Sequence, residues 1–136
     1  MKQLRLGILF LMASLFSFSL MVHGQSKLDK WPELKTFHGV MSQTFHPSEE
    51  GNLEPIKKRI SEMVTKAEAL AKSKIPAEFS NKDVKTAVAK LAADSKKLMD
   101  LINSKAGDDA IKIALSELHD TFHVIVEKCS SSEKHE

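Results

Sequence analysis

Apolar residues recur every three or four positions over four segments of the chain, which is the period of an amphipathic helix. No segment shows the apolar and polar alternation that is typical of a strand. The pattern therefore predicts an all-α fold. Because the four segments are joined by short connections, an antiparallel up-down-up-down four-helix bundle buries the apolar stripes most simply. In that topology the first helix lies beside the fourth.

The first helix is expected to run from Asp29 to His46. Asp29 is a suitable N-cap, and Pro32 is tolerated in the first turn. The helix should stop at His46, because the residue before a proline, here Pro47, is disfavoured in the helical region. The inward stripe of this helix has three-four spacing and consists of Trp31, Leu34, His38, Met41 and Phe45.

The other three helices have clear boundary signals and unbroken stripes. Asn52 is the expected N-cap of the second helix, and the third is expected to begin near Ser80 or Asn81. The fourth begins at Asp108, where acidic charge suits the positive end of the helix dipole. Pro76 and Gly107 separate these helices. The three stripes are Leu53, Ile56, Ile60, Met63, Ala67 and Leu70; Val84, Val88, Leu91, Ser95, Leu98 and Ile102; and Ile111, Leu115, Leu118, Phe122, Ile125 and Cys129.

The first 24 residues resemble an export signal, because Lys2 and Arg5 precede the apolar run LGILFLMASLFSFSLMV and the small-residue end VHG. We expect cleavage after Gly24. A retained membrane anchor is the alternative, although three serines dilute the run. Cleavage would leave a periplasmic or secreted protein without stable membrane association. It would consist of the bundle over residues 25–130 and a flexible tail over 131–136.

Charge and cysteine content narrow the function. Without Lys2 and Arg5, eighteen basic residues face eighteen acidic ones, so the mature chain is nearly neutral. A nucleic-acid partner is therefore not expected, since such binding needs a basic surface. Cys129 is the single cysteine, which excludes an intrachain disulfide. Stability must come from packing, from a bound metal or cofactor, or from both. The sequence leaves it open whether the protein forms a homodimer.

The segment LHDTFH contains His119 and His123, four residues apart. On a helix this spacing corresponds to a rotation of about 40° and a rise of about 6 Å, so both imidazoles project from one side. Such a pair can present two nitrogens to zinc or copper. Two solvent-facing histidines on a surface helix would have the same spacing.

His38 lies within the apolar stripe of the first helix, where packing alone favours leucine or isoleucine. A buried imidazole needs a partner, since leaving it without one costs about 1–3 kcal/mol. Antiparallel packing puts His38 opposite Glu117, and therefore within a turn of His119. The partner is then a metal ion shared with the fourth helix; the alternative is a hydroxyl or carbonyl in the core.

Two further side chains are less favoured candidates for metal ligands. Met41 lies a turn from His38 and could offer a thioether, but a methionine in such a stripe is more often core. His46 lies two turns from His38, about 12 Å away, which is too far to share one ion with it. No catalytic triad or glycine-rich phosphate loop is present, so we do not expect an enzyme.

The segment ELHDTFH, taken with four helices and export, resembles the end of class II cytochromes c (the cytochrome c′ group) and of the soluble periplasmic b-type cytochrome. In those families a haem-ligating histidine is followed by an aromatic residue and then a basic one, and His119, Phe122 and His123 fill these places. The resemblance implies that His119 is a haem ligand and that His38 takes the place of the methionine on the first helix.

The covalent haem motif Cys-x-x-Cys-His of those cytochromes is absent, because Leu115 and Leu118 stand in place of its cysteines. The resemblance therefore implies non-covalent haem b with His38 and His119 as axial ligands. Three functions follow. The leading one is an exported metal-binding bundle with copper or zinc on His38, His119 and His123. The alternatives are a b-type haem electron carrier and a structural or partner-binding bundle without cofactor.

Overall fold

The computed structural model describes residues 27–131 of the 136-residue chain. The predicted export signal and residues 132–136 of the predicted tail lie outside the described residues. Residues 27–131 contain helices and no strand, which confirms the all-α prediction. A 3₁₀ turn spans Ala77–Phe79, and the helices are α1 (Lys27–Lys30), α2 (Pro32–Glu49), α3 (Glu54–Lys72), α4 (Lys82–Asn103) and α5 (Asp108–Ser131).

The long helices pack in chain order, α2 on α3, α3 on α4 and α4 on α5. A less extensive contact joins α2 to α5. The apolar stripes predicted for α3, α4 and α5 are buried, except that Ile102 is only half-buried. Burial of such stripes is the main source of helix stability in a protein, since isolated helices of this length are marginal in water. Among residues 27–131, no helix is long and apolar enough to cross a bilayer.

The first long helix begins later than predicted. The short helix α1 comes first, and Trp31 separates it from α2 with φ −133° and ψ 88°. Asp29 therefore lies inside α1 and is not the N-cap of α2. Trp31 is buried, and its indole Nε1 donates a hydrogen bond to Ser73 Oγ at 2.9 Å. The start of α2 is thus attached to the end of α3.

The end of α2 also differs from the prediction, because the helix continues through Pro47 to Glu49 instead of stopping at His46. Two backbone hydrogen bonds close its last turn: the Asn52 amide donates to the Pro47 carbonyl at 2.9 Å, and the Gly51 amide donates to the Ser48 carbonyl at 3.0 Å. Gly51 has a φ of 86°, so this is a Schellman cap with glycine in the left-handed region. These bonds offset the hydrogen bond that proline cannot donate.

The N-termini of the next two helices follow different rules. Leu53, not Asn52, is the N-cap of α3, and it makes no side-chain cap. Asn52 instead accepts a hydrogen bond from the Glu54 amide through its Oδ1 at 3.1 Å. Asn81 is the N-cap of α4, as one of the two predicted alternatives has it, and its Oδ1 accepts from the Val84 amide at 2.9 Å. This bond satisfies one free N–H of the first turn.

Candidate metal centre

The two histidines of α5 lie together, as their spacing predicts. The Nε2 atoms of His119 and His123 are 3.2 Å apart, and the ring centroids are 4.4 Å apart at 79°. The His119 side chain is half-buried against α2, whereas His123 is exposed. The pair therefore points two ring nitrogens at one place on the border between α5 and solvent.

The 3.2 Å separation suits a shared ion. Two nitrogens on one tetrahedral zinc, each bound at about 2.0–2.1 Å, lie about 3.3 Å apart, and two at a right angle on copper lie about 2.8 Å apart. The same distance also suits an N–H···N hydrogen bond, in which one ring carries the proton and the other accepts it. The two lone pairs converge only where neither Nε2 carries a proton, which is the state that a shared ion needs.

A phenylalanine of α2 holds the His119 ring in place. Phe45 stacks on it with a centroid distance of 3.7 Å and an interplanar angle of 9°. Burial lowers the pKa of His119, and the neighbouring charge of His123 lowers it further, while the carboxylates of Asp120 and Glu49 oppose the shift. The neutral imidazole, which is the form that binds metal, is therefore favoured at neutral pH.

His38 is not buried in the core as predicted; it is half-buried at the edge of the α2 stripe. The buried face of α2 keeps Met41 of the predicted stripe but has Phe37 and Val40 where His38 was expected, so it is shifted by a fraction of a turn. His38 stacks on Phe122 with a centroid distance of 5.2 Å and an angle of 12°, whereas the predicted register put it opposite Glu117. Burial is the main cause that lowers the pKa of His38, followed by the charges of His123 and His46.

His46 lies at the other end of the same border. Its Nδ1 is 3.1 Å from Glu49 Oε2, one helical turn further along α2, and both side chains are exposed. The charges of His46 and Glu49 both act on His119. The sequence puts Glu49 and Glu50 in the turn that also contains His46, but ending the helix at His46 removed the i, i+3 relation that predicts this contact. The glycine cap at Gly51 is the signal that could have shown it.

The two sulfur side chains of the predicted stripes are core residues. Met41 is 1% exposed and Cys129 is 0% exposed. Their burial agrees with the interpretation of Met41 as a packing residue. Across residues 28–129, no three His, Cys, Asp or Glu side chains are already placed to hold one metal ion. The preformed part of the candidate site is therefore the His119 and His123 pair.

The contacts of His38 and His119 give no support to a haem between α2 and α5. Axial ligation by His38 and His119 would require both rings to point a nitrogen at one iron across a porphyrin. In the structure each ring instead lies flat on a phenylalanine, His38 on Phe122 and His119 on Phe45.

No protein-family model, curated protein or solved structure matches this chain. The resemblance to cytochrome c′ therefore stays an interpretation of one short segment. The candidate site rests on its own geometry, in which four histidines from α2 and α5 lie along one border and two of them share a nitrogen-binding point.

Proposed function

We propose that this chain is an exported, non-enzymatic protein that binds a copper or zinc ion through His119 and His123. The observation that carries the proposal is the 3.2 Å separation of the two Nε2 atoms, which matches two ligands of one ion. Imidazole is a ligand that suits both metals, and selectivity between them depends on geometry and metal availability. His38 is a further imidazole; burial lowers its pKa most, and it lies close enough to His123 for that charge to lower the pKa further.

We further propose that the long helices form an antiparallel up-down-up-down four-helix bundle. Contacts between neighbouring helices support this arrangement. Lys90 of α4 reaches Thr121 of α5 at 3.3 Å, and Asp83 of α4 pairs with Lys128 of α5 at 3.1 Å. A residue earlier in α4 therefore contacts a residue later in α5. Such opposite progress is what antiparallel helices produce. The contact of α2 with α5 then closes the bundle.

The proposed location is the periplasm or the extracellular space, supported by the basic start, apolar run and small-residue end of residues 1–24. A mature chain with balanced charge has no electrostatic reason to bind nucleic acid. Without an intrachain disulfide, a metal ion bound only by the folded chain would add stability by mass action.

Calorimetric titration of the purified protein with Zn²⁺ and Cu²⁺ tests the proposed function. We expect one ion per chain, with a dissociation constant of about 1 μM or tighter for at least one metal. His119→Ala should weaken binding by at least about tenfold, because a first ligand contributes no less than the outer-shell partners of a metal site. Lys112→Ala, an exposed position on the same helix, is the matched control and should bind like the wild type.

Absence of binding tighter than micromolar, or equal binding by His119→Ala, would contradict metal binding at this pair. Haem addition separates the remaining alternatives. A sharp Soret band with low-spin features would show that the protein binds haem through two histidines, and the proposal of a bound metal ion would be replaced by haem binding. No response to metal or haem would leave a structural or partner-binding bundle.

A further inference from the structure

The His46 and Glu49 pair has the geometry of a metal ligand with its orienting carboxylate. Glu49 Oε2 lies 3.1 Å from Nδ1 of His46, so this nitrogen donates a hydrogen bond to the carboxylate. In the neutral tautomer the proton then sits on Nδ1 and the Nε2 lone pair is free. Metal-bound histidines almost always have such a partner on their second nitrogen.

Phe45 places His46 next to the α5 pair. Its ring stacks on His119 at 3.7 Å and contacts His46 edge-on at 5.9 Å, so one aromatic side chain touches both imidazoles. His46 and Glu49 each influence the charge state of His119. His38 is the rival, but it lies about two helical turns before His46 along α2 and stacks on Phe122, not on Phe45.

We propose that His46 is the third ligand of the ion held by His119 and His123, with Glu49 fixing the His46 tautomer. The bound ion would then join the last turn of α2 to α5. The inference rests on the proposed function, because the α5 pair has to bind the ion first.

We expect His46 to complete this site by a change of side-chain rotamer. The His46 side chain is 69% exposed and Glu49 is 57% exposed, so both can change rotamer without opening the core. The two side chains share one turn of α2. No three ligands converge beforehand among residues 28–129, so His46 has to move for the site to form.

Zinc titrations of single variants test the inference. His46→Ala should raise the dissociation constant of Zn²⁺ by at least about tenfold, and Glu49→Ala by about tenfold, in the range found for outer-shell partners. Glu50→Ala is the matched control, since it removes the same exposed charge one residue further on; it should change the constant less than about twofold. Pulsed electron paramagnetic resonance of the Cu²⁺ complex should count three imidazoles in the wild type and two in His46→Ala.

The two proposals fail separately. If the wild type binds no zinc or copper, the proposed function and this inference both fall. If His119→Ala abolishes binding while His46→Ala keeps the wild-type constant and imidazole count, the α5 pair stands and the third ligand is overturned. Equal weakening by Glu49→Ala and Glu50→Ala would overturn the orienting role of Glu49, because only a general charge effect would remain.

Discussion

The helix α5 has two contrasting borders. Towards α4 the contact is extensive, and its rim is made of lysine contacts such as Lys90 with Thr121 and Lys128 with Asp83. Towards α2 the contact is less extensive and is made of stacked rings, with His38 on Phe122. Packing and candidate chemistry are thus divided between the two borders. The α4 side stabilises the fold by packing. The α2 side carries imidazoles at positions where aliphatic side chains could pack equally well.

Replacing a core residue of α5 should have the largest effect on stability. Leu118 is fully buried, and Leu118→Ala should lower the free energy of unfolding by about 2–5 kcal/mol through lost burial and a residual cavity. Urea denaturation measures this change. The control Ile113→Ala, at a position 60% exposed on the same helix, should stay within about 0.5 kcal/mol. His119→Ala should cost much less than Leu118→Ala; equal losses would make His119 a packing residue and remove the contrast.

Loss of the hydrogen bond between Trp31 and Ser73 should have the next largest effect. Ser73→Ala leaves the buried indole N–H without its acceptor, which costs about 1–3 kcal/mol. Because α2 packs mainly on α3, this variant should destabilise the protein more than Phe45→Leu does at the α5 border. Thermal unfolding of both variants checks the order. The reverse order would mean that the α2–α5 border fixes α2.

Acid should destabilise the α2–α5 border through its half-buried histidines. The pKa values of His38 and His119 are lowered from the ordinary 6.5, with burial as the main cause. The unfolded chain therefore binds protons that the native chain does not, so the stability they contribute is complete above pH 6.5 and is lost as the pH falls below it. Urea midpoints between pH 5 and 8 should fall towards acid, and less steeply in the variant carrying His38→Gln and His119→Gln. Equal slopes would contradict the assignment.

The smallest effect is expected at the rim of the α4–α5 border. Lys128 and Asp83 form an ion pair whose side chains are 47% and 61% exposed. Such pairs contribute about 0–1 kcal/mol, so Lys128→Ala should change the free energy of unfolding by less than about 1 kcal/mol. Salt titration of the wild type provides the control, since screening should remove any contribution. A larger loss would mean that this border depends on charge as well as packing.

Much of the fold could be predicted from periodicity. The stripes of α3, α4 and α5 are set by local three-four spacing, which needs no knowledge of neighbours. On α2 the same reasoning put His38 on the inward face, whereas Phe37 and Val40 are buried there, on a face that differs by a fraction of a turn. It also ended α2 at His46, since the rule for residues before proline does not account for the cap at Gly51.

The candidate site could be predicted only in part for similar reasons. The approach of His119 and His123 is a property of one helix, and the i, i+4 spacing is sufficient to predict it. The stacking of Phe45 on His119 depends on the register between α2 and α5, which loop geometry controls. The bond from His46 to Glu49 depends on a helix that continues through Pro47.

The most direct test of the central claim is the ¹⁵N NMR spectrum of the histidine rings, recorded without metal and with one equivalent of Zn²⁺. We expect the Nε2 resonances of His119 and His123 to move together to metal-bound positions. His119→Ala should abolish the change at His123. Ring resonances of His119 and His123 that do not move with zinc, or that move independently of each other, would contradict metal binding at this pair.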